Sequence, residues 1–257
     1  MNYINQLKRI GTEEHRSYYV PFLEEDKVEY YHGICDRRSS SLFASLDGKW
    51  LIKEHQGANI IDVNESLCDE IDVPSCVQMK GYDQIQYLNY RYPFPFDPPF
   101  VPESNPRWHY RREFDVEKTS GEKLYIVFEG VDSSFELYIN GTFKGYSKIS
   151  HAVSEFDVTD LVKNGKNTID VIVYKWCVSS YLECQDKFRF SGIFRSVYLL
   201  KRAEKHIVDY KVTTSFNGEN GIVSVTNKSA VDFFVEGFGV NAFVKAGKSV
   251  TYFSAET

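Results

Sequence analysis

The chain has 257 residues, enough for one large or two ordinary domains, and chains of this size bury roughly 70% of their unfolded surface without staples. Hydrophobic residues at 42% and charged residues at 26% exclude a disordered chain, a collagen and a coiled coil. Thirty basic against 36 acidic residues leave a net charge of −6, which argues against a general binder of phosphate backbones.

Aromatic residues reach 16%, which points to a β-rich core. Residues 1–45 are polar and weakly periodic, and the spacing predicts an extended arm packed over a sheet, with a short helix possible at 3–10. Met1 to Gly11 carries charges and no apolar run, so neither a signal peptide nor a membrane span is expected there. Leu46 to Ile52 reads as a Gly turn followed by a strand. Residues 93–106 hold six of the eight prolines, which makes a stiff loop, and Phe94, Phe96 and Phe100 predict that it is pinned against something.

Strands follow over Leu124–Phe128 and Phe135–Ile139. Asn140-Gly141 then marks a hairpin, because both turn positions need positive φ, and Phe143–Tyr146 returns. Thr168–Trp176 alternates Ile169, Val171 and Val173 with Asp170, Ile172 and Tyr174. Ser196–Lys201 is one more strand. Strands recur about every ten residues between Gly and Asn turns, with no helical-period segment of that length. The pattern is all-β, an antiparallel sandwich or jelly roll. After Arg202, strands at Ile207–Thr214, Ile222–Thr226 and Phe233–Val240 form a second all-β unit, small for a core of its own.

Five cysteines, at 35, 68, 76, 177 and 184, form no CxxC pair and are expected as reduced, buried thiols of a cytosolic protein. The sequons at Asn64, Asn140 and Asn227 are expected to be chance. No two of the six histidines lie at helical ligand spacing; distant pairs could meet in space, but spacing alone argues against a His-based metal site. There is no nucleophile elbow, P-loop or dinucleotide fingerprint. Carboxylate pairs such as Glu183 with Asp186 are common on surfaces, and sequence proximity cannot establish catalytic separation. Ser179–Arg195 differs in kind. It lies between two strands and is dense in charge, aromatics and Gly, so it reads either as a site or as a network locking the sandwich.

Tyr181-Leu182-Glu183-x-Gln185-Asp186-x-x-Arg189-x-Ser191-Gly192-Ile193-Phe194-Arg195 closely resembles the signature loop of the large β-galactosidases of glycoside hydrolase family 2. Val73-Pro74-Ser75-x-x-Gln78-Met79-x-Gly81-Tyr82-Asp83, Asn89 with Tyr92-Pro93, and Pro98 to Pro106 resemble other loops of that family in the right order. So do Phe128 to Phe135, Asn140-Gly141-x-x-x-Gly145-Tyr146, Ser154 to Asp157 and Leu46-x-Gly48-x-Trp50. The resemblance is strong over roughly 40–200 and weak over 204–257. The chain departs from the family pattern at Cys76-Val77, at Cys177-Val178-Ser179 and at Cys184.

The resemblance implies a jelly-roll, galactose-binding-like sandwich over 1–203 with its N-terminal arm. It implies a partial immunoglobulin-like sandwich over 204–257, then a (β/α)₈ barrel holding both catalytic Glu residues. Such a barrel takes ~250 residues of alternating strand and helix, a pattern absent here. The expectation is therefore a non-catalytic N-terminal fragment of a cytoplasmic β-galactosidase that hydrolyses terminal β-D-galactosides with retention. Asn89 is expected to reach the galactosyl site. Asp186 is expected to contact a galactose hydroxyl and to ligate Na⁺ in a partial site, with Mg²⁺ held in the barrel. Implied partners are the β-galactoside, the rest of the chain and further copies of the parent, with no nucleic acid and no membrane. Arg189 and Arg195 are expected to orient the loop. The competing readings are a stand-alone carbohydrate-binding module and a purely structural interaction domain.

Overall fold

A computed structural model describes residues 3–57, 60–87, 91–183, 186–216, 221–237 and 240–253. The chain divides into two compact units. The first comprises 1–13 and 22–201, the second 14–21 and 202–257. The second unit thus takes a short segment from the region read as one N-terminal arm, because Ser17 and Tyr19 spend their hydrogen bonds on Asp209, Tyr210 and Ile207.

The first unit is a sandwich of ten main strands: β1 (Phe43–Ser45), β2 (Gly48–His55), β3 (Asp69–Val73), β4 (Arg107–Val116), β5 (Glu122–Phe128), β6 (Ser134–Ile139), β7 (Thr142–Lys148), β8 (Ser154–Asp157), β9 (Gly165–Tyr174) and β10 (Val197–Ala203). One sheet runs β7-β6-β9-β4-β2-β3, with every neighbour antiparallel, and the other runs β8-β5-β10-β1. The all-β sandwich expected from the sequence is what the structure has.

Alternation builds the core. Ile169, Val171 and Val173 of β9 point inward and meet Trp108 and Tyr110 of β4, Leu137 and Ile139 of β6, and Leu124 and Ile126 of β5, all buried. The hairpin at Asn140-Gly141 has φ of 50° and 77°, as the turn requires. The expected helix at 3–10 is a single 3₁₀ turn at Tyr3–Asn5. Ile10 instead pairs with Tyr146 on the free edge of β7, exchanging two backbone hydrogen bonds of 2.9 Å. A Cβ on Gly145 would stand 2.1 Å from the Ile10 carbonyl oxygen, so this edge accepts the arm only because residue 145 has no side chain.

The ten-residue β4 escaped the strand reading. Its inward residues Trp108, Tyr110, Phe114 and Val116 share one face, but Arg112 breaks their alternation, and Arg107, His109 and Arg111 on the other face hide the run among polar residues. The buried-thiol expectation holds for Cys177 only. Cys76 is half-buried, and Cys35 and Cys68 are exposed because they lie on a small surface hairpin and a loop; Cys184 lies outside the described residues. Among the described residues, no helix is long and apolar enough to cross a membrane.

The second unit has a three-stranded sheet of β11 (Tyr210–Phe216), β12 (Gly221–Asn227) and β15 (Ser249–Phe253), and a hairpin of β13 (Phe233–Gly237) and β14 (Val240–Val244). The single strand expected over 233–240 is therefore two. Gly237, at φ +133°, adopts a backbone conformation that side chains disfavour and ends the first of them. Asn227 is buried and donates to the carbonyls of Val231 and Val244, so its sequon serves packing.

Asp209 ties this unit together. Its carboxylate accepts from the Ser17 amide at 2.8 Å and pairs with Lys228 at 3.0 Å. Burial alone would raise its pKa, but these donors outweigh it and hold the pKa below the ordinary 3.8. Because the folded value is the lower one, the stability it lends is full above 3.8 and is lost as pH falls below that. Protection of the Gly221–Asn227 amides against hydrogen exchange, taken relative to the intrinsic rate at each pH, is expected to fall over this acid range, and Asp209→Asn is expected to flatten the dependence.

Candidate functional site

The loop from Ser179 to Arg195 leaves β9, makes one helical turn at Ser179–Leu182, and returns to β10. Tyr181 of that turn is buried and organises the proline-rich segment. Its hydroxyl donates to the Phe100 carbonyl at 2.5 Å and accepts from the Asp97 amide at 3.3 Å, while Tyr92 donates to the Tyr181 carbonyl at 2.9 Å. Phe94 and Phe96 meet the Tyr181 ring edge-on at 5.3 and 5.5 Å, and Phe94 also meets Trp176. Asn105 closes the far end, exchanging hydrogen bonds of 2.7 and 2.9 Å with the Trp176 backbone. The apolar proline loop is thus pinned, while Phe96 and Phe100 keep more than half their surface in solvent.

The second half of the loop is held by the 74–83 segment. Ser191 donates its amide to Gln78 Oε1 at 2.8 Å, and Gln78 Nε2 donates to Asp83, which pairs with Lys175 at 2.6 Å. The Val77 amide reaches the Ser191 carbonyl, and the Ser75 amide reaches that of Ile193. Gly192 has φ +115°, and a Cβ there would lie 2.9 Å from the Tyr110 hydroxyl. A side chain at 192 would push these two segments apart. Three motifs far apart in sequence therefore meet in one scaffold.

Glu183 turns back into this scaffold. Its carboxylate accepts from the Ser150 amide at 3.1 Å and hydroxyl at 2.6 Å, and its carbonyl accepts from buried Arg189. Arg195 donates to the His151 carbonyl and lies over the Phe194 ring. Asp186 is different: it is exposed. The Tyr87 hydroxyl donates to its Oδ1 beside the two-residue ladder that pairs Gln86–Tyr87 with Phe188–Arg189. Asn89 lies outside the described residues.

Next to Asp186 in the chain, Lys187 and Phe188 enter the wall of an open cleft of about 350 Å³, completed by Cys76, Asp132, His151, Phe190 and Phe194. Three aromatic rings with a few convergent polar groups are the composition of a small-molecule site. Asp132 lies 3.4 Å from the Lys187 ammonium. Burial raises its pKa, with the Lys187 charge opposing the shift. Sequence reasoning assigned no role to Asp132, His151 or Lys187, because only the closure of the loop brings them together.

The description "Glycosyl hydrolases family 2, sugar binding domain" belongs to the family model that matches residues 43–203, more than half of the chain, and the chain belongs to this family. Among curated proteins it is 41% identical over 217 residues to a β-galactosidase of Staphylococcus xylosus, covering 83% of this chain and 22% of that protein. It is also 41% identical over 216 residues to a β-galactosidase of Actinobacillus pleuropneumoniae, covering 82% and 21%. The chain thus spans about a fifth of the length of these curated relatives. Among solved structures, a β-glucuronidase from an uncultured Clostridium sp. matches with a TM-score of 0.58 at 19% identity, covering 83% of this chain and 40% of that one. An FMN-binding β-glucuronidase from Facaelibacterium prausnitzii L2-6 matches at 0.58 and 17%, covering 83% and 34%. At such identities the likeness is one of fold.

Proposed function

We propose that this chain is the N-terminal, non-catalytic part of a β-galactosidase that hydrolyses terminal β-D-galactosides of the lactose type with retention. It forms one wall of the galactose pocket and part of an oligomer interface. Its second unit begins an immunoglobulin-like sandwich, and the parent is a cytoplasmic homo-oligomer. The catalytic carboxylates belong to a barrel elsewhere in the polypeptide, where one acts as nucleophile and the other as acid and base. The observation that carries the reading is the exposed Asp186 carboxylate, presented on a loop whose Glu183 carboxylate and Ser191 amide are spent on the scaffold. The 41% identity to two curated β-galactosidases favours galactosides over glucuronides.

Asp186 and Asn89 are the substrate-facing residues of this wall. An ionised carboxylate accepts hydrogen bonds from sugar hydroxyls and offers hard oxygen to a cation. The Tyr87 hydroxyl donates to one oxygen of the exposed Asp186 carboxylate. This suits a partial Na⁺ site: one hard donor stands here, and the barrel supplies the rest. Bound Na⁺ would supply positive charge beside the sugar. Mg²⁺ belongs to the barrel.

The test uses the longer protein. Asp186→Ala there is expected to lower kcat/KM for a nitrophenyl β-galactoside by roughly 10–100-fold, the worth of one hydrogen bond to a charged group, and to blunt the response to Na⁺. The nitrophenyl glucuronide should be a poor substrate, and the 257 residues alone should release no nitrophenol. Full activity with an unchanged Na⁺ response in Asp186→Ala would sink the assignment. A reading frame that does not continue into an alternating strand–helix barrel would favour the stand-alone carbohydrate-binding module.

A further inference from the structure

The larger sheet carries a second constellation on the face opposite Trp108 and Tyr110. Across β2 and β4, Lys53 stands opposite His109 and His55 opposite Arg107, so His55 and His109 are diagonal neighbours on one face. Across β4 and β9, Arg111 stands opposite Asp170, which places Asp170 diagonal to His109 on its other side. The segment between β2 and β3 brings Glu65 over this face. Arg111 fastens it, donating to the Glu65 carbonyl at 2.7 Å and to the Val63 carbonyl.

His55, Glu65 and His109 each present a donor atom within 4.8 Å of the others. Glu65 Oε1 lies 2.7 Å from His55 Nε2 and 3.1 Å from His109 Nδ1. His55 Nε2 is buried, and Glu65 Oε1 is its close polar neighbour. The other ring nitrogen of His109 lies 2.7 Å from Asp170 Oδ1, which Arg111 Nε also holds at 2.7 Å. His109 is fully buried, and Asp170 nearly so.

We propose that His55, Glu65 and His109 form a binding site for a divalent transition metal of the zinc class. Two imidazole nitrogens and one carboxylate oxygen match the donor preferences of zinc, whereas calcium and magnesium take oxygen donors. Metal–ligand bonds of ~2.0–2.1 Å place neighbouring donors about 2.9–3.4 Å apart. The 2.7 and 3.1 Å separations reach that range with shifts of a few tenths of an ångström or less. Asp170 supplies the outer carboxylate that fixes a ligating histidine, keeping the proton on Nε2 and leaving Nδ1 for the metal. Lys53 holds the second Glu65 oxygen, so Glu65 binds through one atom. Three protein ligands leave a position for water, and the His55 side chain, 20% exposed, is the member of the set nearest to solvent. The metal would clamp β2, β4 and the 56–68 segment together and, by binding only the folded form, would stabilise the first unit.

The test is a titration of the EDTA-stripped 257-residue chain with Co²⁺, read by visible d–d absorption, with Zn²⁺ as competitor. One saturable site per chain is expected, with ring NMR signals of His55 and His109 shifting together. His55→Ala is expected to weaken binding by at least about 100-fold and Asp170→Asn by about 10–100-fold, with circular dichroism reporting that each variant keeps its sheets. No saturable cobalt absorption, or affinity unmoved by His55→Ala, overturns the proposal. If His55→Ala does not fold, the NMR of the unaltered chain decides: shifts elsewhere than at the two rings refute the site.

Discussion

Phe135→Ala is expected to destabilise the first unit by about 3–5 kcal/mol, read as a lowered urea midpoint at unchanged slope. Phe135 is 2% exposed on β6, and its ring lies 4.7 Å from Phe128 of β5 and 5.9 Å from Phe156 of β8. The three rings join the two sheets, so truncation removes buried apolar surface and opens a cavity that rigid strands on both sides cannot close. Ile60→Ala is the control. Ile60 is 98% exposed, and its truncation should shift stability by no more than about 0.5 kcal/mol. A Phe135→Ala effect as small as the control's would mean that the sheets do not share one core.

Asp170→Ala is expected to cost a similar amount, about 3–5 kcal/mol, by a different route. Asp170 is 1% exposed and is the acceptor between His109 Nε2 and Arg111 Nε. Its loss strands the buried His109 Nε2 and the Nε of the half-buried Arg111 cation, whose other nitrogens keep only neutral carbonyl acceptors. Arg111 also holds the Val63 and Glu65 carbonyls, so proteolysis within 56–68 should rise together with the loss of stability. Asp186→Ala supplies the contrast. That carboxylate is exposed and serves no packing, so the isolated chain should keep its midpoint while the longer protein loses activity. A midpoint unmoved by Asp170→Ala would show that solvent screens the network after all.

Local patterns carried much of the fold. The Asn140-Gly141 turn was legible because positive φ at two successive residues has few chemical solutions, and β9 because strict alternation of β-branched residues has one common outcome. β4 was not legible, although Trp108, Tyr110, Phe114 and Val116 share one face, because Arg112 interrupts their alternation. Its outer face is covered by the Glu65 segment, so it carries buried polar residues where an ordinary sandwich strand would show a plainly solvated face. The 233–240 run failed for the converse reason. Its apolar residues continue across a reversal that only the backbone at Gly237 reveals.

The sequence by itself determined the all-β class, most strands and, through the spaced motifs of 73–106 and 181–195, the family. Each of these depends on interactions between residues close in the chain or on motif order, and both survive in a linear reading. Only the tertiary structure decided that Gln78 receives the Ser191 amide, that Glu183 is spent on Ser150 while Asp186 stays exposed, and that Asp132 and Lys187 share a cleft. It alone placed His109 against Glu65, 44 positions away, because the segment between β2 and β3 folds over the face on which strand register sets His55 diagonal to His109. A sheet face is assembled from residues on different strands, so chemistry built across strands leaves no local trace in the chain.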